Sequence, residues 1–224
     1  GEFPAVGVVA VHAVTLHYGS IAGEYAALES GAMLVDRSVR GRMRFDGPKA
    51  ADTLTGLVTN DVLALAPGHG LYADALSPKG RIIADVRIFA RGDHLLVDVP
   101  ARARAGWEML VRKYVNPRTV PYTDVSTTMR QIAIAGVDAR AMLAESAGLA
   151  REALAALQPF AHLDAQVAGR DTMIVRVPEL ETEGYELFVP ADAFAPIWQR
   201  LSSVGATPGG LLAWEIARIE NGRP

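Results

Sequence analysis

The sequence predicts an α+β protein built from two pseudo-repeated helix–strand–strand–helix units. Three observations predict it: an internal repeat, alternating runs rich in isoleucine and valine, and helical apolar spacing after each Val-Pro-Ala string. The repeat organises the rest. Phe45 to Leu54 (FDGPKAADTL) reads like Ile134 to Leu143 (IAGVDARAML), with Gly47, Ala50 and Leu54 standing 89 residues before Gly136, Ala139 and Leu143. Gly80, Arg81, Val86 and Arg87 meet Gly169, Arg170, Val175 and Arg176 at the same offset of 89. After a turn one residue longer in the second copy, VDVPARARAGWEML meets LFVPADAFAPIWQRL.

Each element follows from local chemistry. The Gly-Pro or Gly-Val entry leads into apolar spacing of three and four, which predicts a short helix, and Pro48 suits a first helical position. The Gly-Arg blocks alternate and read as strands. Ala90 to Asp93 form a hairpin turn into His94 to Val99, which Pro100 ends. Arg102 to Val115 then reads as an amphipathic helix with Trp107, Leu110, Val111 and Tyr114 on one face. Two prolines and a threonine/serine cluster over residues 116–126 mark the join, which gives domains at 1–125 and 126–224.

Composition narrows the function. The 224 residues are 50% apolar, enough for a real core, and the net charge of −3 carries no long run of one sign, so no nucleic-acid partner is expected. No stretch of eighteen apolar residues and no signal-peptide pattern are present, so a cytoplasmic protein without a membrane partner is expected. With no cysteine, thiolate nucleophiles and cysteine-held zinc or iron–sulfur sites are excluded within these residues. His12, His17, His69, His94 and His162 show no metal-ligand spacing, so no metal site is expected. The tryptophans at 107, 198 and 214 sit at helical spacing and read as core.

A duplicated fold makes similar packing demands at matched positions, so a carboxylate in one copy opposite an apolar residue in the other points to a ligand. Asp85, in IIADVRIF, stands opposite Ile174, and Glu186, in GYELFV, stands opposite Leu96. Burying a carboxylate calls for a cation or hydrogen-bond donors. Asp85 is equally compatible with an exposed strand position or with pairing to Arg87 or Arg81, and Glu186 with a solvated one.

The string from Leu34 to Phe89 carries a D-x-S segment (Asp36, Arg37, Ser38), a G-x-x-A-x-x-x-L helix, Thr59-Asn60-Asp61, Gly-x-x-x-Tyr at Gly68 to Tyr72, and the strand holding Asp85. In that order and spacing, and continuing through VRVPELETEGYELFVPADAFAPIWQRL and GLLAWEIARIENGRP, it resembles the superfamily of the glycine cleavage T-protein and the YgfZ proteins. The resemblance implies a three-domain ring around a tetrahydrofolate channel, with a C-terminal barrel domain beyond Pro224. It implies that Glu186 holds the amino-pyrimidinone edge of the pterin and that Asp85 is the catalytic residue facing the reactive folate nitrogen. Tyr72, Leu96 and Trp214 match further folate-contact positions, with Leu96 standing for a tyrosine and Trp214 for an arginine. Pro100 and Val39 also depart, as does Glu179 to Glu183 in place of Y-T-G-E-D.

Ser-Pro-Lys-Gly-Arg and ARIENGRP look closer to the YgfZ branch, which implies a folate-dependent factor in iron–sulfur protein assembly or repair. The alternative is a tetrahydrofolate-dependent aminomethyl- or methyltransferase. The implied cofactor is tetrahydrofolate, as the 5,10-methylene or 5-formyl form, and the implied partners are iron–sulfur client proteins or a lipoyl carrier protein.

Overall fold

The computed structural model, which describes residues 5–9 and 12–222, divides into two compact units. The first unit holds the chain up to Ser38, Met129–Gln158 and the chain from Leu163 onward; the second holds Val39–Thr128 and Pro159–His162. In chain order the first unit begins with β1 (Ala5–Val9), β2 (His12–His17), α1 (Ile21–Ser30) and β3 (Met33–Asp36). The second unit follows with β4 (Gly41–Asp46), α2 (Ala50–Thr55), β5 (Gly70–Leu76), β6 (Ile82–Ala90), β7 (His94–Val99), α3 (Arg104–Tyr114) and β8 (Tyr122–Asp124). The chain then completes the first unit with β9 (Met129–Ala135), α4 (Ala139–Ala147), α5 (Arg151–Ala155), β10 (His162–Val167), β11 (Arg170–Arg176), β12 (Gly184–Pro190), α6 (Phe194–Ser203), β13 (Thr207–Pro208) and α7 (Leu211–Glu220).

The second unit's sheet has the order β5-β6-β7-β4-β8, and the first unit's the order β10-β11-β12-β9-β3-β13. The expected helix–strand–strand–helix run is present as α2, β6, β7 and α3, but two further strands, β4 and β5, belong to the same sheet. Because β3 pairs with β9, the chain before Ser38 and the chain after Thr128 build one sheet. The join read at residues 116–126 lies just before the return at Thr128; the earlier crossing at Ser38 has no Pro/Gly-rich marker in the sequence.

One core lies on each sheet. Phe45, Val86, Ile88, Val97, Trp107 and Val111 fill the second unit, and Ile134, Leu143, Ile174, Leu187, Ile197 and Leu201 fill the first. In α3, Trp107, Leu110 and Val111 are buried as their spacing predicts, but Tyr114 is half exposed at the last turn. A third cluster covers the other face of the larger sheet, where α1 and α7 bring Ala27, Leu28, Ala213 and Trp214 against Met33, Val35 and Ala133. Glu24, buried on α1, ties this layer together by accepting from the Tyr18 amide at 2.6 Å and the Gly210 amide at 2.8 Å.

The ladders correct one repeat pairing. Phe45 faces Leu95 while Ile134 faces Tyr185, so β7 and β12 match at an offset of 90, which agrees with the Val-Pro-Ala strings. Leu96 faces Phe89 while Glu186 faces Val175, so β6 and β11 match at 86, not at 89. An odd difference of that kind turns every side chain to the opposite face. Val86 indeed points into its core, while Val175 lies on the face away from its own. The shared Gly-Arg letters are therefore a slipped match. The ladder counterpart of Asp85 is the exposed Asp171, not Ile174, whereas the contrast of Glu186 with Leu96 stands.

Candidate functional site

Within the second unit, Tyr72, Asp85 and Leu96 all lie on the sheet face away from the core. Tyr72 faces Arg87 across β5 and β6, Asp74 faces Asp85, and Leu96 faces both Phe89 and Arg44. Asp85 sits four residues along β6 from Phe89, about 13 Å at strand spacing, so the Asp85 and Leu96 side chains do not meet. The Asp85 carboxylate is 21% exposed and accepts from Arg102 Nη2 at 3.3 Å. That partner is neither of the two arginines the sequence offered. Arg87 instead turns to Asp98, which is fully buried and holds Arg40 at 2.8 Å and Arg87 at 3.5 Å. Tyr72 is half exposed and stacks on Phe160 with ring centroids 6.4 Å apart. Partial burial, then the charges of Asp85 and Asp74, hold its phenol above the ordinary tyrosine range.

Within the first unit, Glu186 is 1% exposed, on the sheet face away from the larger core. Its ladder neighbours are Val175 and Ala133, and its Oε2 accepts from Gln131 Nε2. The Asp36-Arg37-Ser38 segment fixes that glutamine's backbone. Ser38 Oγ accepts from the Gln131 amide at 3.0 Å, the Arg37 amide donates to the Gln131 carbonyl at 2.9 Å, and Asp36 accepts from the Ser38 amide and from Arg130, each at 2.9 Å. The D-x-S string thus acts through Gln131, a residue the sequence reading passed over because a glutamine inside an apolar strand has no spacing signal.

Trp214 is buried on α7 in the cluster that contains Ala133, the cross-strand neighbour of Glu186. Arg37 Cζ stands 4.7 Å over its ring and reaches Glu179 at 3.1 Å, so a guanidinium lies against the indole. The indole Nε1 has no acceptor among the described residues. The arrangement in this unit is a carboxylate and a primary amide side by side, with a cation held nearby on an aromatic face. Such a pair can accept two parallel N–H bonds from a heterocycle edge.

Among the described residues no group of three or more His, Asp or Glu converges as a metal site, and no helix is long and apolar enough to cross a membrane.

The GCVT N-terminal domain profile matches residues 6–224. The aminomethyltransferase of Rubrobacter xylanophilus is 31% identical over 92% of this chain and 55% of its own length. That of Bordetella petrii is 33% identical over 92% of this chain and 57% of its own length. The chain therefore spans little more than half the length of these curated relatives. The crystal structure of glycine cleavage system aminomethyltransferase T from Bartonella henselae superposes with a TM-score of 0.85 at 22% identity, covering 98% of this chain and 59% of that one. At that identity the likeness is one of fold.

Proposed function

The chain belongs to the GCVT N-terminal domain family, and from that premise we propose that it is the tetrahydrofolate-binding part of a T-protein-type one-carbon protein. The buried Glu186 carboxylate beside the Gln131 amide carries this reading, because that pair matches the donor and acceptor edge of a pterin. Glu186 anchors the amino-pyrimidinone edge, with Trp214 in the adjoining layer. In the second unit, Asp85, with Tyr72 and Leu96 on the same sheet face, carries the chemistry for the one-carbon step, a carboxylate able to accept a proton from a reacting amine or to stabilise an iminium-like carbon. The two units are read as two copies of one plan, their first four strands following the same order.

The Ser77 to Arg81 turn and Trp214 in place of an arginine favour a folate-dependent factor in iron–sulfur protein assembly; the named relatives, all aminomethyltransferases, favour transfer from a lipoyl carrier. Aminomethyl transfer measured with a lipoyl carrier protein separates the two readings: turnover selects the transferase, and binding without turnover selects the assembly factor.

The folate reading is tested by calorimetric titration of 5-formyl-tetrahydrofolate into the full-length protein. Wild type binds; Glu186→Ala loses about 100-fold in affinity, the loss expected for two charge-assisted hydrogen bonds; Asp85→Asn keeps its affinity. Failure of wild type to bind, or equal binding by all three, overturns the assignment.

A further inference from the structure

We propose that Thr59 and Asn60 are positioning residues that hold Tyr72 beside Asp85 on the sheet face of the second unit turned away from its core. The proposal deepens the folate reading, which gives Asp85 the one-carbon chemistry, and rests on that reading for what the held pair does.

The Thr59-Asn60-Asp61 string follows α2 and runs beside β5, which is the edge strand of its sheet. Val58 forms an isolated antiparallel bridge with Ala75. The Thr59 amide donates to the Asp74 carbonyl at 2.9 Å, and Thr59 Oγ1 accepts from the Asp74 amide at 2.9 Å. Asn60 Nδ2 donates to the Tyr72 carbonyl at 3.1 Å while Asn60 Oδ1 accepts from the Asp61 amide at 2.9 Å, so both ends of that side-chain amide are fixed. The loop behind them is anchored in turn. Thr55 Oγ1 on α2 accepts from the Val62 and Leu63 amides at 3.0 and 3.1 Å, and Val62 is buried in the core.

Where those bonds fall decides what they do. In an antiparallel pair, residues whose N–H and C=O point away from the neighbouring strand face their partners at the closer Cα separation, about 4.5 Å. Asp74 gives both backbone groups to Thr59, so its pairing with Asp85 is of this close kind, and Tyr72, two residues earlier, pairs with Arg87 in the same way. Tyr72 then stands diagonal to Asp85 on one face, about 7–8 Å away and within reach of a long aromatic side chain. The phenol registers that neighbour: partial burial, then the charges of Asp85 and Asp74, raise it above the ordinary range against the opposing pull of Arg102 and Arg87. Its ring stacks on Phe160, whose carbonyl oxygen lies 2.6 Å from where a Cβ on Gly70 would stand. The clamp thus grips β5 at the two residues whose side chains share a face with Asp85, and a strand edge held on both sides frays less than one held on one.

The test is calorimetric titration of 5-formyl-tetrahydrofolate into the full-length protein, with the Tyr72 phenol titrated by NMR in the unliganded protein and assigned by Tyr72→Phe. Thr59 and Asn60 are exposed, so Thr59→Val and Asn60→Ala leave the core intact and the thermal midpoint close to that of wild type. Each weakens binding about threefold, the loss expected for one hydrogen bond. Each also lets the Tyr72 phenol fall toward the ordinary tyrosine range, whereas Thr59→Ser, which keeps the hydroxyl, retains both affinity and phenol. Tyr72→Ala weakens binding about tenfold, and adding Asn60→Ala to it has no further effect, because the clamp acts through that side chain. An equal loss from Asn60→Ala with and without Tyr72, or a phenol unmoved by Thr59→Val and Asn60→Ala, overturns the proposal. Failure of wild type to bind overturns the folate reading instead, and the phenol titration then decides the clamp alone.

Discussion

The two sheets differ most on the faces turned away from their cores. The five-stranded sheet lines that face with a row of charge, Arg42 opposite Asp98 opposite Arg87, all of it buried. The six-stranded sheet lines the corresponding face with Val35, Ala133 and Val175, and sets one carboxylate, Glu186, among them. Asp98 is held by two guanidinium groups, and Glu186 is held by an amide. The first arrangement neutralises charge for the sake of the fold. The second sets a carboxylate among apolar ladder neighbours and bonds it to the Gln131 amide.

The sharpest way to break this comparison is to remove each acid and measure unfolding by urea. Asp98→Ala leaves Arg40 and Arg87 buried around a lost counter-charge and is expected to lower stability by about 3–5 kcal/mol. Glu186→Gln keeps an oxygen for Gln131 to bond and should change stability by no more than about 1 kcal/mol while weakening reduced-folate binding. Equal losses in the two variants would make Glu186 a structural residue and end the distinction.

The repeat glycines extend the comparison. Gly136 has a φ of +138°, and a Cβ there would stand 2.4 Å from the Gly31 carbonyl oxygen, where α1 gives way to β3. Gly47, its partner in the repeat, has a φ of +91° but nothing nearer than 3.8 Å. Gly47→Ala therefore meets backbone strain alone, about 1 kcal/mol, whereas Gly136→Ala adds a backbone clash and should cost about 3 kcal/mol, read as the difference in urea midpoint. Similar midpoints would show that α1 can yield at Gly31.

Those glycines also show how far the sequence could be read. Phe45 and Ile134, 89 residues apart, each sit in a strand that pairs with the last strand of a hairpin, and the apolar spacing of Trp107, Leu110 and Val111 marked residues of the second unit's core. The Gly-Arg match failed because shared letters carry no register; only hydrogen bonding shows that β6 and β11 differ by an odd slip. Nor could letters show that β3 crosses to join β9, since long-range strand pairing leaves no local mark. At the site, Glu186 was legible as a carboxylate opposite leucine. Gln131, Arg37 and the Arg40–Asp98 pair were not, because their roles depend on neighbours more than forty residues away in sequence.

The smallest expected effect concerns Asp85. Its partner Arg102 is 64% exposed, so the pair gains little Coulomb energy in a high-dielectric setting and gives up side-chain entropy to form. Arg102→Gln should shift unfolding by no more than about 0.5 kcal/mol, against several for Asp98→Ala, which places the two ion pairs of one sheet face at opposite ends of the scale. If Asp85 works on a folate amine, that arginine has to release it, and the same variant should leave reduced-folate affinity unchanged or slightly improved. A loss of affinity in Arg102→Gln, with stability intact, would mean that the guanidinium itself contacts the ligand and that Asp85 is held for structure.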